Sequence, residues 1–220
     1  MTVTDLKPLD KKRTKVFLDF EEAFVLYHRE LQEYHIEQDA ELSEEDYREI
    51  MTHLLPKRAK LRALHLLEAR PYTEVKLREK LRDGHYPAAV IDEAIDYCKS
   101  FRYVDDLQYA LDYATYHTQD RPKNRIRNDL LAKGIARDVV EQALERAYTQ
   151  DLPLEGKVAP KGSDEVSPEY TLLLKQLKKK HYTPDLPYEE RQKLKASLYR
   201  KGFSMDLITR AFDDMDALSS

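Results

Sequence analysis

Arg125-Ile126-Arg127-Asn128-Asp129-Leu130-Leu131-Ala132-Lys133-Gly134-Ile135 is the stretch that decides the fold of this chain. Ile126 and Leu130 stand one helical turn apart, and Gly134 supplies the left-handed residue on which a helix ends. Ile135 then folds into the corner, and Val139, Val140, Ala143 and Leu144 form the apolar stripe of a helix packing back on the first. The same frame returns without a gap at an offset of 68, as Leu194, Leu198, Lys201, Gly202 and Phe203, then Leu207-Ile208 and Ala211-Phe212. It also occurs earlier, as Lys80-Leu81-Arg82-Asp83-Gly84, Tyr86, Val90-Ile91 and Ala94-Ile95. That copy aligns at an offset of 49 over its final helix, with one extra residue after Gly84. The three glycines read as one corner used three times.

Each corner belongs to a unit of three helices, and a recurring unit of this size signals a repeat architecture. In the first unit, Ala63, Leu66 and Leu67 lie on a helix that stops before Pro71. Thr73 is the expected N-cap of the next, with Leu77 and Leu81 on its buried side. Pro87 suits the first position of the third, whose Val90, Ile91, Ala94, Ile95 and Cys98 make one stripe. The N-terminus alternates instead: Thr2–Leu6 and Lys15–Phe20 predict two short strands, a hairpin around Pro8–Lys12. From Ala23 to about Ile36 the spacing predicts a helix, and Ser43 with Glu44, Glu45 and Asp46 predicts another helix start. The expected fold is mainly α: an elongated curved array of three three-helix, helix-turn-helix-like repeats behind a short N-terminal β-hairpin and helix. The expected boundaries are 1–55 for the extension, 56–104 for repeat one, 105–149 for repeat two, 150–167 for a linker and 168–220 for repeat three. The linker expectation rests on three prolines and two glycines from Gln150 through Pro168.

Composition fits thin helical layers. Charged residues are 35% of the chain and apolar ones 41%, which suits one buried stripe per helix better than a large core. A single cysteine, Cys98, excludes a disulfide framework and implies a reducing, cytoplasmic setting. Met1–Phe20 has no apolar core of the signal-peptide kind, and no apolar run approaches the roughly 20 residues of a membrane helix. No membrane association is expected.

Catalytic patterns are missing. The seven histidines form no metal-binding spacing, and Cys98 sits on an apolar stripe. There is no phosphate loop, dinucleotide fingerprint or nucleophile elbow. Asp105-Asp106 is more simply a helix start than an acid pair. The reading is a non-enzyme with no cofactor and no metal.

The informative charges are basic. Residues 1–54 carry 7 basic and 14 acidic side chains, whereas residues 55–104 carry 11 and 7. Within the units, the middle helices hold the cations: Lys76, Arg78, Lys80 and Arg82; Arg121, Lys123, Arg125 and Arg127; Lys195, Arg200 and Lys201. Pairs such as Arg78/Arg82, Arg121/Arg125 and Lys123/Arg127 are four apart, so each is expected to share a helix face at a small repulsive cost. Either a phosphate backbone or acidic partner groove, or the chain's own acids, would remove that cost. The closing helices are acidic (Asp92, Glu93 and Asp96; Asp138, Glu141 and Glu145). A helix-turn-helix transcription factor is the rival reading, but its second helix would carry these acids into the DNA groove.

Leu64–Leu81, Phe101-Arg102-Tyr103-Val104-Asp105-Asp106 and Arg125–Ile135, in that order, resemble the repeat signatures of the RecX family. The likeness covers residues 2–148 well and 168–215 more loosely. It implies a cytoplasmic, monomeric regulator that binds the RecA recombinase or the RecA–DNA filament and inhibits its ATPase, recombination and co-protease activity, within DNA repair and the SOS response. It also implies weak, salt-dependent contact with DNA itself. The eleven basic residues named above are the contact candidates. One departure is Arg121-Pro122, where the family often has Gly-Pro ahead of the Arg-Ile-Arg run.

Overall fold

A computed structural model describes residues 1–149 and 167–217, and it divides into two compact units, Met1–Asp105 and Asp106–Ser220. The expected linker over 150–167 falls, but for Ser167, outside the described residues.

The first unit opens with three antiparallel strands, β1 (Val3–Pro8), β2 (Arg13–Leu18) and β3 (Glu21–Tyr27), in the order β1-β2-β3. Thr14, Val16 and Leu18 alternate into the core from β2. The third strand corrects the expectation of a helix from Ala23. Asp19 and Phe20 both take positive φ (49° and 74°), the two-residue turn whose twist suits a hairpin. Neither is Gly or Asn, so the turn carries no sequence signal. Ala23 is the extra residue of a bulge between Val16↔Phe24 and Phe17↔Glu22, and Phe24-Val25-Leu26 enters the core as one buried run. That run imitates helical spacing.

The helix predicted from Ala23 is confined to α1 (His28–Glu33). In α2 (Glu44–Glu49), Ser43 caps as expected, its hydroxyl accepting from the Asp46 N–H at 3.0 Å. A π-helical turn, Ile50–Leu54, joins it to α3 (Leu55–Ala69) and accommodates Pro56 in the first turn. Thr73 caps α4 (Glu74–Asp83), with the Lys76 N–H at 3.3 Å. α5 (Ala88–Ser100) follows, with Pro87 one position earlier than expected, at the N-cap. All five stripe residues of α5 are buried, Cys98 among them. They share one core with Val16, Phe24, Leu26, Ala59, Ala63, Leu77 and Leu81. Burial also pushes the Cys98 thiol up, away from the reactive thiolate.

The second unit holds α6 (Asp106–His117), α7 (Lys123–Ala132) and α8 (Arg137–Thr149), then α9 (Pro168–Lys179), α10 (Tyr188–Lys201) and α11 (Met205–Ala217). Its two triplets have separate cores, one around Ile126, Leu130, Val140 and Leu144, the other around Leu173, Leu177, Leu198, Phe203 and Phe212.

The corners agree in backbone, with one correction. The N–H of Tyr86, Ile135 and Phe203 donates to the carbonyl five residues back, on Leu81, Leu130 and Leu198 (3.4, 3.4 and 3.3 Å). The residue before each has positive φ: His85 (61°), Gly134 (84°) and Gly202 (107°). The left-handed residue of the first corner is therefore His85, and Gly84 is an ordinary helix end at φ −79°. With His85 in that place the offset of 49 holds through the corner, and the extra residue disappears. His35, Arg102 and His181 end other helices in the same way. A non-glycine residue in this region costs energy, and His is one of the types that visits it most.

A cationic groove in the second unit

The acidic closing helices answer the basic middle helices. Arg127 on α7 donates through Nε and Nη2 to Glu141 on α8 at 2.6 and 3.0 Å. At the equivalent place in the first repeat, Arg78 on α4 pairs with Asp92 on α5, and also with Glu74 at 2.9 Å. These two arginines are spent inside their own units. Lys76 pairs with Glu79 at 2.8 Å and Lys80 with Asp83 at 3.4 Å, whereas the exposed Arg82 has no ion pair among the described residues. The third repeat has Lys195 and Thr209 at the positions of Arg127 and Glu141, so the pair is missing. Lys195 lies instead over the Phe212 ring at 4.9 Å.

Four of the eleven candidates converge elsewhere. Arg121, Arg125, Arg200 and Lys201 line one groove of about 580 Å³, with Asp120 and Gln176. Its geometry follows from the corner of repeat three. Gly202 packs on the first turn of α7, where an added Cβ would meet the Arg125 backbone nitrogen at 3.0 Å. That contact sets the last residues of α10 beside the start of α7. Glu169, near the start of α9, ties the same place from the other side: its carboxylate accepts the Lys123 backbone N–H at 3.0 Å. Lys123 itself turns away, its ammonium 5.1 Å from the Tyr148 ring centre. Burial raises the Glu169 carboxyl, opposed by that N–H and by Lys123 and Arg127.

Inside the groove the charges are only partly answered. Asp129 accepts from Arg121 at 2.8 Å and stands 3.2 Å from Arg125. Asp120 stands 3.8 Å from Arg121. Among the described residues Arg200 donates to its own helix alone, to the Ala196 carbonyl at 3.4 Å, and Lys201 donates to the neutral Gln176 at 2.7 Å. Four cations meet two carboxylates there among the described residues, and the balance is positive. Arg121 also corrects the sequence reading: α7 starts at Lys123, so Arg121 precedes the helix, and it meets Arg125 through Asp129 rather than along a helix face.

Sequence reasoning missed an aromatic strip on α6. Tyr109, Tyr113, Tyr116 and His117 follow the i, i+4, i+7, i+8 spacing of one helix face, a pattern that was open to reading. Arg121 joins it to the groove, donating to the Tyr113 hydroxyl at 2.7 Å. The His117 ring lies 4.5 Å from Tyr113 and 4.9 Å from Tyr116, and its Nδ1 lies 3.0 Å from Asp120. Among the described residues no group of His, Cys, Asp and Glu is placed to hold a metal, and no helix is long and apolar enough to cross a membrane.

This arrangement defines a class, a protein of repeated three-helix units with a cationic groove. Three family models match in series: the first three-helix domain of RecX over residues 59–98, the second over 105–144 and the third over 168–212. The chain is 30% identical over 207 residues to the regulatory protein RecX of Bacillus velezensis, covering 93% of this chain and 73% of that one. It is 28% identical over 199 residues to the RecX of Caldanaerobacter subterraneus, covering 90% and 91%. A crystal structure of a regulatory protein RecX shares the fold at a TM-score of 0.61 and 22% identity, covering 96% of this chain and 98% of that one. RecX from Lactobacillus salivarius does so at 0.60 and 22%, covering 74% and 97%. The chain belongs to the RecX family of regulatory proteins.

Proposed function

We propose that this chain binds the RecA recombinase, in its filament on DNA, and lowers its ATPase, recombination and co-protease activity by occupying the filament rather than by chemistry. Family membership supports the regulatory part of this reading. The observation that carries the binding part is the groove holding Arg121, Arg125, Arg200 and Lys201 with fewer carboxylates than cations among the described residues. A filament on DNA is a polyanion, and Arg and Lys are the residues that neutralise phosphate. The closing helices favour this over a helix-turn-helix mode, since Asp92 and Glu141 would carry their ion pairs into the DNA groove.

The test adds the purified chain to RecA, single-stranded DNA and ATP over a range of stoichiometries. ATP hydrolysis and strand exchange are expected to fall as the chain is added. Unchanged rates at every ratio overturn the proposal. The paired change Arg125→Gln with Arg200→Gln is expected to weaken the effect, and Arg78→Gln is expected to weaken it far less.

A further inference from the structure

The first unit holds a groove of its own, of about 640 Å³, where α3 lies against α5. Leu54, Lys57, Leu61 and Leu64 recur at helical spacing along one side of it, from the end of the π turn into α3. Glu93 and Tyr97, one turn apart on α5, form the facing wall. Leu61 is 59% exposed, and water would be released from it by an apolar partner. The apolar ground continues past Tyr97. The Phe101 ring lies 5.0 Å from Tyr97, and Tyr103 stacks on Phe101 at 5.8 Å and 17°. Both outer rings are more than half exposed, and rings already held against one another lose little freedom on binding. The π turn gives a separate pointer. Thr52, His53 and Leu54 reach the groove from it, and such turns occur mostly at functional sites.

Shape and charge together say what the groove fits. A furrow between two packed helices accepts a third helix along it. Leu54 and Leu64 are ten residues apart, which at helical rise is about 15 Å, or about three turns. Glu93 is answered by Lys60 at 2.7 Å, and Glu49 stands 3.2 Å from His53. Lys57 is exposed and has no ion pair among the described residues. Carboxylates on the walls disfavour a phosphate backbone or an anionic membrane, whereas Lys57 leaves room for one acid. We propose that this groove docks an amphipathic helix of a protein partner, with an apolar ridge on Leu61, Leu64 and Tyr97 and an acidic side chain at Lys57. The proposal rests on the reading that the chain binds a RecA filament, and it assigns this contact to protein rather than to DNA.

The test follows an environment-sensitive dye on the full chain. Cys98 is buried, so Thr52→Cys gives one reactive thiol at the mouth of the groove. That dye is expected to shift to the blue when RecA filaments on single-stranded DNA are added. A dye placed through Phe20→Cys, on a residue 88% exposed in its turn, is expected to stay unchanged, and the DNA alone is expected to move neither. Adding Leu61→Glu is expected to weaken the titration about tenfold, with the circular dichroism unchanged because this side chain is exposed. Lys57→Glu is expected to weaken it several-fold, and less so as salt rises. A full shift with DNA alone overturns the proposal, and so does undiminished binding by Leu61→Glu. Tighter binding by Lys57→Glu overturns it too, since the partner would then be basic. If the chain lowers RecA ATP hydrolysis while the dye at position 52 stays unchanged, the proposed function stands and this inference falls. If it neither shifts the dye nor alters hydrolysis, both fall.

Discussion

The first and third repeats have the same frame and settle it differently. Leu81 and Leu198 are both buried, and the corner bond from Tyr86 to Leu81 has its counterpart from Phe203 to Leu198. Yet the first repeat turns on His85, and the third turns on Gly202 pressed against Arg125. The first spends Arg78 on Asp92, and the third leaves Lys195 without its counterpart. Apolar positions are what the repeats hold in common, because a buried stripe needs only size and register. Charges are where they part, and the cations left unneutralised are those available to a partner.

The glycines sharpen this most. Gly202→Ala is expected to cost about 1–3 kcal/mol, because φ 107° is strained for any side chain and the Arg125 backbone lies in the way. Gly84→Ala meets the Leu81 carbonyl at 3.1 Å but has ordinary φ, so its cost is expected to be smaller. Urea unfolding of the two variants compares them, and equal costs would break the assignment of the first corner to His85.

The ion pair comes next. Glu141→Thr copies the third repeat into the second and is expected to cost no more than about 1 kcal/mol, since Glu141 is 43% exposed. The hydrogen bond from Arg127 holds the Glu141 carboxyl below its ordinary 4.5. Its stabilisation is therefore full above that value and is lost as pH falls toward the lowered one. Glu169 has the opposite sign: its raised carboxyl favours the folded state at low pH, and that advantage is lost as pH rises from 4.5 toward the raised value. Acid titration of stability in Glu141→Thr and in Glu169→Gln is expected to remove the two slopes separately.

The reciprocal change, Thr209→Glu, offers Lys195 the missing partner and is expected to gain a few tenths of a kcal/mol. A loss of stability in thermal melts would show that the two repeats do not superpose in charge. The smallest effect is expected for His85→Gly. Relief of φ 61° is offset by the flexibility of Gly and by loss of the His85–Glu22 contact at 3.4 Å. A net change within about 0.5 kcal/mol is expected in the same melts.

Much of this was legible in the sequence, for a physical reason. Val90, Ile91, Ala94, Ile95 and Cys98 are a stripe in the sequence and a buried face in the structure, since helical spacing translates directly into burial. β3 was hidden because its turn, Asp19-Phe20, uses positive φ without the residues that normally announce it. The cations were legible as charges but not as free charges. Nothing in Arg127 or Arg200 alone says that one meets Glu141 and the other, among the described residues, its own helix. Those answers come from neighbours far along the chain, as does the Glu169 bond to Lys123.

The separate cores of the second unit have a consequence for cooperativity. Each triplet buries its own apolar cluster, and repeat units of this kind gain stability from themselves and from their neighbours rather than from one shared interior. Heating should therefore melt the two triplets as coupled steps, and calorimetry should find a total enthalpy larger than the sharpness of the transition implies. A polyanion held jointly by Arg125 of one triplet and Arg200 of the other would tie those steps together, so that a bound partner would show itself first as a sharper melt.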